Sequence, residues 1–189
     1  VWRIRKPLDA VVHTMGWPLD SRTFGGSFFY PMRDNHVAIG LVVGLDYTDA
    51  SLDVHQLLQE LKTHPFFRQY LEGGQLVEWG AKTIPEGGYW SLPDRLSGDG
   101  LLLVGDSAGL VEVASLKGVH YAMTSGILAA KTLFEAWKAR DFSAAFLCAY
   151  DRYARESLIY RDLYARRNMR LAFKDGLWLG ALKAGLFYL

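Results

Sequence analysis

Between Leu101 and Gly126 the chain reads "LLLVGDSAGLVEVASLKGVHYAMTSG", and no other stretch constrains the fold as much. An apolar run stops at Gly105-Asp106, passes through small residues, and reopens at Lys117-Gly118 into a helical pattern. The spacing predicts a short buried strand over Leu101 to Val104, with a carboxylate at its carboxyl end, where open α/β sheets bind ligands. Asp106 there suits a pair of hydroxyls, as on a ribose or ribityl chain. Ala108 and Gly109 let a chain or phosphate lie against the backbone. Gly118 keeps side chains away from the free N–H groups of the helix that follows, which attract an electron-rich atom. A plain strand–turn–helix crossover with an N-capping Asp explains the same residues equally well.

Around this segment the pattern runs strands first and helices after, which predicts an α/β or α+β arrangement. "FGGSFFYPMRDNHVAIGLVVGLDY", Phe24 to Tyr47, reads as two strands joined by an "RDNH" turn. Leu52 to Leu71 is helical, broken near His64-Pro65 and stopped at Gly73-Gly74. "AKTIPEGGYWSLPDRLSGDG" is a connecting segment. A helix is expected over Val119 to Arg140, with Met123, Ile127, Ala130, Phe134 and Trp137 as its buried stripe. A second is expected over about 141–168, with Phe146, Tyr150, Tyr153, Tyr160 and Tyr164 on one face.

The net charge of +1 gives no basic stripe for nucleic acid. The single cysteine, Cys148, excludes an internal disulfide framework and an all-protein cysteine metal site; its apolar context predicts a buried, inert thiol. His13, His36, His55 and His64 lack ligand spacing, so no metal site is expected. His120 fits either a ligand pocket or a polar helix start. No "GxSxG" elbow supports a serine nucleophile, and no catalytic side chain is assigned. Asp20 and Arg22 read as a surface ion pair. The start at Val1 and the apolar end lead to the expectation of an internal piece of a longer polypeptide.

Several of these motifs together resemble a known family. "GDSAGLVEVASLKGVHYAMTSGILAAKTLFEA", "GWPLDSRTFGGSFFYPM", "VAIGLVVGLDY", "LEGGQLVEWGAKTIPEGGYWSLP" and the stretch from "YARRNMR" to "GLFYL" are similar to the electron-transfer flavoprotein–ubiquinone oxidoreductases and their nitrogen-fixation-associated relatives. The resemblance covers nearly the whole chain in the family's order. It implies the carboxyl-side part of a glutathione-reductase-like FAD-binding fold with an inserted β-rich quinone-binding region. The implied division is a ubiquinone-binding region at 1–98, a flavin segment at 99–168 and a membrane-contact segment at 169–189. A dinucleotide-binding part with its Gly-x-Gly-x-x-Gly fingerprint would precede Val1, and an iron–sulfur module holding a [4Fe–4S] cluster would follow the tail.

By the same resemblance, FAD is held at Gly105, Asp106, Gly109, Lys117, Gly118 and Val119, with Asp106 on the ribityl hydroxyls and the Lys117–Val119 backbone at the N1/O2 edge of the ring. A helix N-terminus there would raise the flavin potential. Gly25 and Gly26 fall at the family's ubiquinone site, with Phe28, Phe29 and Tyr30 as candidate walls; without the resemblance, a β-bulge or tight strand entry is the simpler reading of paired glycines. The chain departs from the family at Glu112-Val113-Ala114, commonly Asn-Val-Pro, and at Val119, commonly Thr or Ser. The implied partners are reduced electron-transfer flavoprotein, ubiquinone and membrane lipid.

The tail from Gly176 to the end has 14 residues, too short to span a bilayer. Preceded by Arg166, Arg167, Arg170 and Lys174, it reads as an interfacial helix with Trp178 at the head groups and Lys183 snorkelling, or as a core helix. The family's monotopic placement selects the first. A bacterial inner membrane, cytoplasmic side, or a mitochondrial inner membrane, matrix side, is implied. The competing readings are a geranylgeranyl-reductase-like flavoenzyme, against which "GWPLD…FGG" counts, and a non-redox lipid- or quinone-binding module.

Overall fold

The computed structural model describes residues 1–187 and divides into two compact units, one of residues 1–81 with 172–187 and one of residues 82–171. The division falls at 81/82 and 171/172, so the apolar tail joins the first unit instead of forming a segment of its own.

The first unit is built on an antiparallel sheet. Its strands are β1 (Trp2–Arg3), β2 (Val12–Met15), β3 (Gly25–Pro31), β4 (His36–Val43) and β5 (Gln75–Leu76), in the spatial order β2-β3-β4-β1-β5. The expected hairpin is β3–β4. Its turn works because Asp34 and Asn35 both take left-handed backbone angles, φ 58° and 55°, which these two residue types tolerate. Two helices follow, α1 (Val54–Thr63) and α2 (Pro65–Leu71). Asp53 caps α1 by accepting from the Gln56 N–H at 3.0 Å. The break at His64-Pro65 is where the sequence put it: Pro65 opens α2, and the His64 ring accepts from the Phe66 N–H.

Helices α1 and α2 bury one face of the sheet. Phe29 is fully buried there, edge-on to Phe67 and Tyr70, with Ile4, Leu8, Val37, Leu61 and Leu71 completing the core.

The second unit is mainly helical. A two-stranded ribbon, β6 (Ser97–Gly98) with β7 (Leu101–Leu102), leads into a single 3-10 turn at Gly105–Ala108. Then come α3 (Val119–Ala139), α4 (Ala144–Leu147), α5 (Ala149–Glu156), α6 (Leu158–Ala165) and a short turn, α7 (Met169–Ala172). Leu96, Leu110, Tyr121, Ala129, Tyr150, Ala154, Ile159 and Leu163 form its core.

Four expectations need correction here. The strand before Gly105 is only Leu101–Leu102 and is not buried: among the described residues it pairs with β6 alone, and Leu101 is 54% exposed. The long second helix starts at Ala144, capped by Ser143, and is interrupted at Cys148 and at Ser157, where the Ser157 side chain turns back to cap α6. On α3 the residues Met123, Ile127, Ala130, Phe134 and Trp137 face outward, with Ile127 69% and Trp137 67% exposed. The buried face is instead Tyr121, Ser125, Ala129, Thr132 and Ala136. Cys148 is exposed at the α4–α5 junction, where Leu147 and Tyr150 take the inward positions.

In the first unit the tail forms a 3-10 turn at Phe173–Asp175 and α8 (Leu177–Phe187). It is fastened to the loop between β2 and β3: Leu177 N–H donates to Ser21 O at 2.7 Å, and Phe24 packs on Phe173 at 5.4 Å. Among the described residues no helix is long and apolar enough to cross a membrane. The Lys183 ammonium pairs with the Asp175 carboxylate.

Candidate functional sites

The first site is on the sheet of the first unit. Strand side chains alternate between faces, so Phe29 belongs to the core and cannot wall a ligand site with Phe28 and Tyr30. The face away from α1 and α2 carries Gly26, Phe28 and Tyr30 from β3. Register places Met15 and His13 of β2 opposite Gly26 and Phe28, and Val42, Gly40 and Ala38 of β4 opposite all three in turn.

This patch is flat for a stated reason. A Cβ on Gly40 would stand 2.2 Å from the tip of the Phe28 ring, so glycine there lets the ring lie across the sheet. Tyr30 packs beside it, with ring centroids 5.0 Å apart and 33° between planes. The Tyr30 hydroxyl lies 3.2 Å from His13 Nε2. Met15 and His13 are exposed and the rest of the patch is half-buried.

Gly25 and Gly26 enter β3 between two close neighbours. A Cβ at Gly25 would meet Val42 O at 2.2 Å and Leu19 Cδ1 at 2.5 Å; one at Gly26 would meet Thr14 O at 2.1 Å. Tight strand pairing therefore already requires both glycines. Asp20 shapes the lead into them by accepting from the Arg22 and Thr23 N–H groups at 3.0 and 2.7 Å. This is a turn bond and not the expected ion pair, and the Thr23 bonds do most to hold the Asp20 carboxyl below its ordinary range.

The second site is in the other unit. The turn at Gly105–Ala108 folds back on α3: Gly105, at φ 57°, donates its N–H to buried Ser125 Oγ at 3.0 Å, and that hydroxyl donates to Ala122 O. Leu110 N–H returns to Gly105 O, and Gly109, at φ 73°, closes the turn onto Asp106 O at 2.9 Å. The result places Asp106 at the amino end of α3, where a Cβ on Gly118 would stand 3.0 Å from its Oδ1 and 3.5 Å from Val111. The Asp106 carboxylate is exposed and has no hydrogen-bond partner among the described residues. It does not cap α3, whose first turn has no side-chain cap. The N–H groups of Val119 and His120 are therefore open.

The loop between these parts is fixed by Glu112, which sequence reasoning noted only as a departure. Its carboxylate is 3% exposed, accepts from the Ala114 and Ser115 N–H groups at 2.9 Å each, and pairs with Arg166 at 3.5 Å. Glu112 and Lys117 also exchange backbone hydrogen bonds at 2.8 and 3.1 Å. The Lys117 N–H is thus used within the protein, while Gly118 and Val119 remain available. Beneath them, burial pushes the Tyr121 hydroxyl up to about 12, helped by the Asp162 and Glu112 charges. Two surface grooves in this unit, about 580 and 830 Å³, are lined by none of residues 105–119.

Residues 1–84 match the family described as ETF-QO, ubiquinone-binding. The chain is 44% identical over 90% of its length to an Arabidopsis thaliana protein named "Electron transfer flavoprotein-ubiquinone oxidoreductase, mitochondrial", covering 26% of that protein. Proteins of the same name from Caenorhabditis elegans and Homo sapiens are 41% and 39% identical over 94% of the chain, which covers 31% and 30% of them. A solved structure described as geranylgeranyl bacteriochlorophyll reductase-like, from Thermoplasma acidophilum, superposes with a TM-score of 0.62 at 19% identity, over 88% of this chain and 40% of that one. That likeness is one of fold. The chain is similar to these electron transfer flavoprotein–ubiquinone oxidoreductases over nearly its whole length and spans a quarter to a third of theirs.

Proposed function

We propose that this chain supplies the quinone-binding region and part of the flavin site of an oxidoreductase that passes electrons from reduced electron-transfer flavoprotein, through FAD, to ubiquinone at a membrane surface. The observation that carries the reading is the flat patch of Gly26, Phe28, Tyr30 and Gly40, within the residues that match the ubiquinone-binding family. A quinone head group is a planar ring with two carbonyl oxygens. Aromatic faces take such a ring by offset stacking, and Gly40 lets the Phe28 ring lie across the sheet to meet it.

In the second unit the donor set fits a flavin. Asp106 is an unpartnered carboxylate for ribityl hydroxyls, and the space beside it at Gly118 is one that a Cβ would fill. Gly105 and Gly109 hold the turn that presents it. The open N–H groups at the start of α3 favour negative charge at the ring's N1/O2 edge. When bound, FAD supplies the redox step itself. Lys117 contributes by keeping the loop closed, through its backbone bonds to Glu112. A [4Fe–4S] cluster takes four cysteine thiolates; this chain has one cysteine, so its own residues do not hold such a cluster.

The membrane contact is read from α8. Trp178, Leu182 and Leu186 fall on one row of the helix and are exposed at 79%, 62% and 67%. The basic flank contributes less than its sequence suggests. Arg166 is engaged by Glu112, and the Arg167 guanidinium lies 3.9 Å over the Tyr164 ring. The inner membrane of bacteria, or of mitochondria, is the proposed location.

The test uses the full polypeptide that carries this segment. It should contain FAD and reduce a short-chain ubiquinone when given a reduced electron-transfer flavoprotein. Asp106→Ala should weaken FAD retention about 10- to 100-fold, the worth of a charge-assisted hydrogen bond. Full flavin retention by that variant would overturn the flavin assignment. A parent protein that takes up no flavin would favour a non-redox quinone module.

A further inference from the structure

We propose that His13 and Tyr30 are the proton donors to the bound quinone. The inference rests on the quinone reading of the open sheet face, and goes beyond it by assigning the acid–base groups. Reducing a quinone to a quinol takes two electrons and two protons, and an apolar patch provides no protons. On this face the Tyr30 hydroxyl and His13 flank Phe28, whereas His36, two residues from Ala38 on β4, has both ring nitrogens engaged, by Arg3 and by Arg33 O.

They are hydrogen-bonded to each other at 3.2 Å, with the rings edge-on at 5.3 Å. Both belong to the face that carries Gly26 and Phe28: Tyr30 is two residues beyond Phe28 on β3, and His13 is directly opposite Phe28 on β2. Same-face neighbours along a strand are separated by about 6.7 Å, so a ring resting on Phe28 has an oxygen within reach of the pair. His13 is exposed, which connects the pair to water.

The balance closes with no further reagent beyond the reduced flavin of the proposed function, which gives the two electrons. The Tyr30 hydroxyl passes its proton to a quinone oxygen as the O–H bond there forms. The phenolate oxygen takes the Nε2 proton of His13, and the exposed imidazole takes one from water at Nδ1. Exchange with water restores the first tautomer, and the second proton follows by the same route, leaving the quinol. A positioned general acid of this kind contributes about 10²- to 10⁴-fold.

Two readouts separate this inference from the reading beneath it. In the first, ubiquinone-1 labelled with ¹³C at its carbonyls is bound to the protein, and its C=O stretch is followed by infrared difference spectroscopy. The parent should lower one carbonyl frequency relative to free quinone, and Tyr30→Phe should abolish that shift while the quinone still binds. In the second, flavin-loaded parent, Tyr30→Phe and His13→Gln are compared with two acceptors. Ubiquinone-1 turnover should fall at least 10-fold in both variants and lose its solvent deuterium isotope effect. Turnover with a ferricenium salt, which accepts an electron without a proton, should stay within twofold and report intact folding. Quinone bound with an unchanged carbonyl shift in Tyr30→Phe, or quinone turnover within twofold of the parent in both variants, overturns the proton-donor assignment alone. A parent that binds no ubiquinone-1 overturns the quinone face and this assignment with it.

Discussion

Replacing Glu112 by Gln tests how the loop ahead of α3 is held. The buried carboxylate spends one oxygen on the Ala114 N–H and the other on the Ser115 N–H, each at 2.9 Å. A Gln offers one acceptor oxygen and turns an NH₂ group toward the other donor, so one charge-assisted bond is lost and one N–H is left unpaired. That loss is worth about 2–3 kcal/mol, or roughly 30- to 140-fold in a local opening equilibrium at about 1.4 kcal/mol per factor of ten. Hydrogen exchange resolved to single amides reads this directly: Ala114 or Ser115 should exchange faster in Glu112→Gln by that factor, with amides in the middle of α3 unchanged. Arg166→Met should matter far less, about twofold, because the 3.5 Å pair involves an arginine side chain that is 39% exposed and screened by solvent. Exchange at both loop amides within twofold of the parent in Glu112→Gln would refute the anchoring.

The alternation along β3 predicts opposite outcomes for adjacent phenylalanines. Phe29→Ala should cost about 3–5 kcal/mol and lower the urea midpoint of the first unit by roughly 2 M, whereas Phe28→Ala should cost less than half as much; equal losses would reverse the face assignment. Tyr121 and Tyr150 have hydroxyls pushed up to about 12, chiefly by burial. With the folded value raised, the stability they contribute is complete below pH 10 and is lost as pH rises from about 10 to 12. Absorbance titration near 295 nm should therefore show late phenolates that appear together with unfolding, and a single tyrosine phase near 10 would contradict this. The exposed Cys148 thiol should react with Ellman's reagent in the native protein at one equivalent, and protection until urea is added would contradict its placement.

The hairpin, the helix break at His64-Pro65 and the turn after Gly105 were legible because local chemistry specifies them: left-handed Asp and Asn, a proline without an N–H, glycines at positive φ. Which face an element buries was not. On α3 the apolar row Met123–Ile127–Ala130–Phe134–Trp137 is one or two positions, about 100° to 200° of helical rotation, from the row that is buried. The buried row includes Ser125 and Thr132, whose hydroxyls return to carbonyls one turn back. Hydrophobic spacing identified a stripe correctly and assigned it to the wrong side. Cys148 failed for a related reason, since its neighbours Leu147 and Tyr150 take the inward positions and leave the thiol outside. Of the candidate sites, Asp106 and Gly118 are brought together as the sequence implied. Glu112 and His13 needed three dimensions. The partners of Glu112 include one 54 residues away, and His13 gains meaning only from the strand beside it.

The most direct measurement is photolabelling with an aryl-azide analogue of ubiquinone, followed by peptide mapping. Saturable labelling, competed by ubiquinone-1, is expected on the peptides carrying His13 to Met15, Gly26 to Tyr30 and Ala38 to Val42. Labelling confined to α1 and α2, or labelling that ubiquinone-1 does not displace, would contradict that expectation.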